Sequence, residues 1–121
     1  MRKGKMAVQA AHASMKVIID LMEGTDDPMF PLVWYHLGVE RDKALHQWLF
    51  TGRFKKVCVS VDSEQELMDI FNQAQQAKIL CTLVVDSGLT EFNGVQTKTC
   101  IAVGPAYPEQ LDPITGHLKL L

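Results

Sequence analysis

Two stretches of the chain carry side chains that could do chemistry. In the first, Lys5, Gln9, His12 and Lys16 follow one another at intervals of four, three and four residues, so a helical period sets them along one stripe. Met6, Ala10, Ala13, Val17 and Leu21 form a second stripe beside it, and Val8, Ala11, Met15, Ile18 and Met22 a third. Most of such a helix is apolar, and the expectation is a largely buried element. An ammonium, an amide and an imidazole on its polar strip point to a site, because burying each unpaired would cost roughly a few kcal/mol. The same stripe also fits the solvated edge of an ordinary amphipathic helix. The second stretch, Asp86-Ser87-Gly88-Leu89-Thr90, begins where the chain leaves an apolar β-like run. Ligands of open α/β sheets bind beyond the carboxyl ends of strands. A carboxylate brought beside an ammonium can orient or deprotonate a water and stabilise negative charge developing on an oxygen.

Positioning these groups calls for a helix over Gly4 to Met22, ending near Gly24 before a Thr25-Asp26-Asp27-Pro28 turn. The stretch from Met29 to Leu37 reads as irregular with one helical turn, its Trp34 and Tyr35 packed into a core. Ala44, Leu45, Trp48 and Leu49 recur at helical spacing, which predicts a helix over Glu40 to Phe50 closed by Gly52. Lys56 to Val61 is a β-branched run. Ser63 and Glu66 then form a capping box, starting a helix from about Glu64 to Ala77. Cys81 to Val85 is the next strand. The unit from Val57 to Val85 has the length and order of a right-handed βαβ crossover, which predicts parallel pairing of its two strands. Lys98 to Val103 is a third strand, stopped by Gly104-Pro105. A helical turn follows from Tyr107 to Asp112, and the apolar alternation of the tail predicts that it docks on the body.

At 121 residues the chain has the size of one domain, and a single domain over residues 1–121 is expected. Its 47% hydrophobic and 21% charged residues fit a soluble globular protein and exclude a disordered or fibrous one. No apolar run nears the roughly 18 residues of a membrane span, and the N-terminus lacks the apolar core of a signal peptide. A cytoplasmic protein with no membrane partner is therefore expected. Cys58, Cys81 and Cys100 lie in apolar runs without a CxxC pair and read as buried thiols. The four histidines show no HxxxH or HExxH spacing, so no metal site is expected. A net charge of −2 argues against nonspecific coating of nucleic acid. Basic residues nevertheless gather at Arg2-Lys3-Lys5 and Arg53-Lys55-Lys56, while Asp62, Glu64, Glu66 and Asp69 concentrate acid on one helix.

Three motifs in order carry a resemblance. The first helix has Gly4-Lys5-x-Ala7-x-Gln9-x-x-His12-Ala13. The middle has Asp86-Ser87-Gly88-x-Thr90, followed by Thr99 and Gly104-Pro105, and the end reads Ile114-Thr115-Gly116-x-Leu118-Lys119-Leu120-Leu121. Over nearly its whole length the chain resembles the type 2 class of peptidyl-tRNA hydrolases. The resemblance implies a three-layer α/β/α sandwich on a small mixed sheet of four strands. It also implies hydrolysis of the ester joining a peptide to the terminal ribose of tRNA, without metal or organic cofactor, and makes a homodimer plausible. The family's functional positions fall on Lys5, Gln9, His12, Asp86, Thr90 and Thr99.

On this reading Asp86 positions or deprotonates the water. Lys5, in the first turn of its helix, holds Asp86 ionised and favours charge on the ester carbonyl oxygen. His12 shares the proton transfer or contacts RNA, or else is a buried histidine held by a backbone carbonyl. Thr90 and Thr99 offer hydroxyls to water or ribose, or serve turn and strand geometry. Substrate binding falls to Lys3, Gln9, Gly88 and Lys98, and less firmly to Arg53, Lys55 and Lys56. The alternative is a catalytically weak module that binds tRNA or a protein on the same surface; Lys5 and Asp86 together favour the enzyme, since RNA binding alone requires no carboxylate. The chain departs from the family in having Leu89 where arginine is usual and Ala10 where cysteine is frequent. The family's first strand also lies immediately ahead of the Gly-Lys motif, so the natural polypeptide is expected to begin upstream of Met1, or a neighbouring subunit to supply that strand.

Overall fold

A computed structural model describes residues 1–89 and 92–121. The molecule is a mixed α/β protein in which helices pack on small antiparallel sheets. Helix α1 (Lys3–Ile19) leads into a hairpin of β1 (Glu23–Asp26) and β2 (Val33–His36). A short helix α2 (Ala44–His46) runs into a π-helical turn over Gln47–Thr51. Strand β3 (Val59–Ser60), helix α3 (Glu64–Gln76), strands β4 (Cys81–Asp86) and β5 (Thr97–Val103), helix α4 (Pro108–Thr115) and strand β6 (Lys119–Leu120) complete the order.

Helix α3 begins where its capping signal places it. Ser63 Oγ accepts the Glu66 N–H at 3.1 Å, and Glu66 Oε2 accepts the N–H of Asp62 at 2.8 Å, so two backbone donors at the helix entrance are satisfied. Its apolar face buries Ile70 and Ala74 with Ile79 and with Ile114 of α4. Cys81, Ile101 and Val103 of the β4–β5 pair pack against this core. Alternation along β4 turns Thr82 and Asp86 toward α1, which contacts both β4 and β5. Thr82 is buried and ties the two elements together: its hydroxyl donates to Asp20 Oδ2 at 2.7 Å and accepts from Lys16 Nζ at 3.2 Å. The tail docks as expected, with Ile114 in the core and β6 paired antiparallel to β3.

The expected parallel βαβ pairing is not formed. Strand β3 pairs with β6 and β4 pairs with β5, both antiparallel, so the two runs flanking α3 belong to different sheets. A groove of about 370 Å³, lined by Lys3, Met6, Ala7, Ala10, Cys58 and Leu121, opens beside β3 under the first half of α1. Helix α1 is also less buried than its composition predicts, for only Gln9, Ala13 and Val17 are fully enclosed. The stripe of Val8, Met15 and Met22 faces outward, since among the described residues α1 packs mainly on the β4–β5 pair. Cys58 is exposed rather than a buried thiol, whereas Cys81 and Cys100 are partly enclosed.

The segment between α1 and β3 differs most from expectation. Met29 to Leu37 is not a core segment: its second half is strand β2, and Trp34 and Tyr35 are each 67% exposed. Asp27 shapes the hairpin turn, its carboxylate accepting the N–H of Met29 and its carbonyl that of Phe30. The predicted helix over Glu40 to Phe50 shrinks to α2 and the π-helical turn. There Trp48, within the π-helical turn, donates its indole N–H to the Lys55 carbonyl at 2.6 Å and stacks near Phe54.

Candidate active site

Asp86 stands at the carboxyl end of β4, under the first turns of α1. Its Oδ1 accepts from Lys5 Nζ at 3.2 Å and from Gln9 Nε2 at 3.3 Å, and its Oδ2 accepts the backbone N–H of Gly88 at 2.9 Å. The Gly88 N–H, and next the Lys5 ammonium, hold this carboxyl below its ordinary range. The carboxylate is thus ionised at neutral pH, with lone pairs still open to a water.

Gln9 is 1% exposed, the most enclosed large side chain described, and it makes the junction of the site. Because a carboxylate only accepts, the face of the Gln9 amide toward Asp86 must be its NH₂ group. Its oxygen then turns to Thr99, whose hydroxyl donates at 2.6 Å. The Cys100 thiol donates to the Gln9 backbone carbonyl at 3.2 Å. Neighbouring residues of one strand ordinarily face opposite ways, yet Thr99 and Cys100 both reach Gln9. A bulge explains this: Val84 pairs with Cys100 and Val85 with Lys98, leaving Thr99 as the extra residue aimed at α1.

Gly88 is held in place by its conformation as well as its hydrogen bond. It has φ +80°, and a Cβ there would collide with the Val95 carbonyl. Its carbonyl accepts from the Phe92 and Gly94 N–H groups, closing the loop that follows Asp86. That loop brings the Phe92 ring centroid to 6.0 Å from Lys5 Nζ.

Among the residues singled out by sequence, Lys5, Gln9, Asp86, Gly88 and Thr99 are brought together. His12 lies further along α1, exposed at the wall of a second groove with Met15, Lys16, Ile19, Val84 and Val85. Lys16, on the same polar stripe, joins Asp20 and Thr82 instead of the site. Lys3 lines the groove beside Cys58, and Lys98 is exposed with its ammonium 3.8 Å from Glu64 Oε1. Thr90 lies outside the described residues. Leu89 is 82% exposed. Phe92 and the Cys100 thiol were not anticipated; the Asn93-Gly94 turn signal is what folds Phe92 back, but only the bulge brings in Cys100.

The peptidyl-tRNA hydrolase PTH2 family model matches residues 1–121. A peptidyl-tRNA hydrolase of Methanothermobacter thermautotrophicus is 40% identical over 121 residues, spanning all of this chain and 89% of that protein. That of Methanocaldococcus jannaschii is 37% identical over 121 residues, again across the whole chain and 90% of the relative. That of Thermococcus onnurineus is 37% identical over 119 residues, spanning 98% of this chain and 86% of its own. With a full-length match on both counts, the chain belongs to the PTH2 family of peptidyl-tRNA hydrolases.

Proposed function

We propose that Asp86 positions the water that cleaves the ester between the peptide and the terminal ribose of peptidyl-tRNA. The observation that carries this reading is the convergence of Lys5, Gln9 and the Gly88 N–H on one carboxylate. An aspartate held low is a weak base, so it contributes chiefly by orienting the water and by stabilising positive charge on it as it attacks. Lys5 offers its ammonium to the oxyanion that develops on the ester carbonyl, close to the positive end of α1. Gln9 and Thr99 act as positioning residues that fix Asp86. His12, exposed on the same helix, supplies a proton or an RNA contact, and the Thr90 hydroxyl meets water or ribose.

The basic residues Lys3, Lys98, Arg53, Lys55 and Lys56 are read as contacts for the tRNA backbone. The packing of α1 on one face of the β4–β5 pair, and of α3 with α4 on the other, supports a single-domain, three-layer α/β/α sandwich. The exposed strand edges support a homodimer. A substrate made during translation supports a cytoplasmic place of action; no helix among the described residues is long and apolar enough to cross a membrane.

The test is release of peptide from a purified N-acetylaminoacyl-tRNA in the presence of EDTA. Asp86→Ala should lower kcat by about 10²–10⁴-fold, and Lys5→Ala by about 10²–10³-fold. A wild-type protein that bound the tRNA without cleaving it, or variants that retained full turnover, would overturn the assignment.

A further inference from the structure

The groove lined by His12, Met15, Lys16, Ile19, Val84 and Val85 has a volume of about 360 Å³ and lies outside the hydrogen-bonded cluster of Lys5, Gln9, Asp86, Gly88 and Thr99. It is contiguous with that cluster. Val85 directly precedes Asp86 in β4, and His12 lies one helical turn beyond Gln9 in α1. From there the groove leads away along both elements. Its walls are mainly apolar, with Met15 66% and Ile19 48% exposed. Lys16 contributes little free charge to it, since the ammonium is engaged by Asp20 at 2.8 Å and by the Thr82 hydroxyl.

We infer that this groove receives the last residues of the peptide moiety of peptidyl-tRNA, with apolar side chains preferred. The inference rests on the ester being attacked at Asp86. The peptide carbonyl is then at the carboxyl end of β4, and a peptide following the groove lies parallel to that strand. Among the described residues β4 pairs with β5 alone, so its other edge is open to an extended chain. From His12 to Ile19, seven helical steps span about 10 Å, which is about three residues of extended peptide. The groove on the other side of α1 does not suit the role, for its lining by Lys3, Met6, Ala7, Ala10, Cys58 and Leu121 includes neither end of β4 nor a neighbour of Asp86.

The experiment compares kcat/KM for N-acetyl-trileucyl-tRNA with that for N-acetyl-leucyl-tRNA, which share the same ester and tRNA and differ only in two leucines. The longer substrate should be favoured by about tenfold, mostly through KM. Met15→Glu and Ile19→Glu should each bring the ratio of the two substrates close to one, while Met15→Leu and, in the other groove, Leu121→Glu should keep it. Both groove positions are exposed, and a ratio taken within one variant is insensitive to the fraction of folded protein. A wild-type ratio near one, or an advantage that survives both glutamates, would overturn the inference while leaving the hydrolase intact. Failure to cleave either substrate would instead remove the hydrolase reading and this inference with it.

Discussion

At the scale of residues, the site is a set of donors directed at one acceptor. Asp86 receives an N–H from Gly88, an ammonium from Lys5 and an amide from Gln9, and each favours its charged form. A carboxyl whose pKa is depressed stays ionised as the pH falls through the usual aspartate range and loses its charge only below it. The acidic limb of kcat/KM should therefore lie under about pH 3.9, the ordinary value for aspartate, as far as the fold survives there. Lys5→Ala removes the ammonium and leaves the Gly88 N–H. The limb should then move up in pH without disappearing, which a pH profile of the residual activity would detect; a limb that stayed in place would show that Lys5 does not act through Asp86. Gln9 has no such freedom. Its two amide ends are claimed by a pure acceptor and by a hydroxyl, so one orientation is selected and the rotamer of Asp86 with it.

At the scale of elements, three local devices deliver these groups. The helical period carries Lys5 and Gln9 to the same side of α1, the end of β4 delivers Asp86, and the β5 bulge turns Thr99 inward. The rigidity of β4 and β5 comes from the α3 side, where Ile70 and Ala74 meet Cys81, Ile101 and Val103. Helix α3 itself depends on its entrance. Ser63→Ala would leave the Glu66 N–H without its side-chain partner and should lower stability by about 1 kcal/mol, measured by urea denaturation with an unchanged slope. The candidate site around Asp86, on the far face of β4–β5, should keep its kcat. A loss of activity without a loss of stability would mean that the cap serves the site in some other way.

At the scale of the whole molecule, exposed apolar side chains concentrate in the segment between α1 and β3, and Arg53, Lys55 and Lys56 gather basic charge at its end. Hairpin residues Trp34 and Tyr35 are exposed there, and Lys56 lies over the Phe54 ring at 3.2 Å from its centroid, beside Trp48. With a net charge of −2, attraction of the tRNA depends on how cations are placed, not on their sum. Replacing Lys55 and Lys56 with glutamate should weaken tRNA binding at low salt and reduce the salt dependence of log Kd by about one to two phosphate contacts. Turnover at saturating substrate should be nearly unchanged, because neither residue contacts Asp86. Affinity and salt slope equal to those of the unaltered protein would assign this cluster to solvated surface.

The sequence by itself determined the parts whose information is local. The stripe of Lys5 and Gln9, the capped start of α3, the end of β4 at Asp86 and the turn at Gly88 each follow from spacing or from the backbone demands of a few adjacent residues. The three ordered motifs also sufficed to indicate the family. Tertiary structure alone decided which members of a stripe meet. Lys5 and Gln9 reach Asp86, whereas His12 faces a groove and Lys16 turns to Asp20, because β4 passes beneath only the first turns at its charged end. It also decided the partners of β3 and the exposure of Trp34 and Tyr35. A short β-branched run does not encode which strand lies beside it, and an aromatic hairpin exposed on both faces has no alternation to announce it. Strand pairing and burial are set by what the rest of the chain leaves adjacent, and that information is not local.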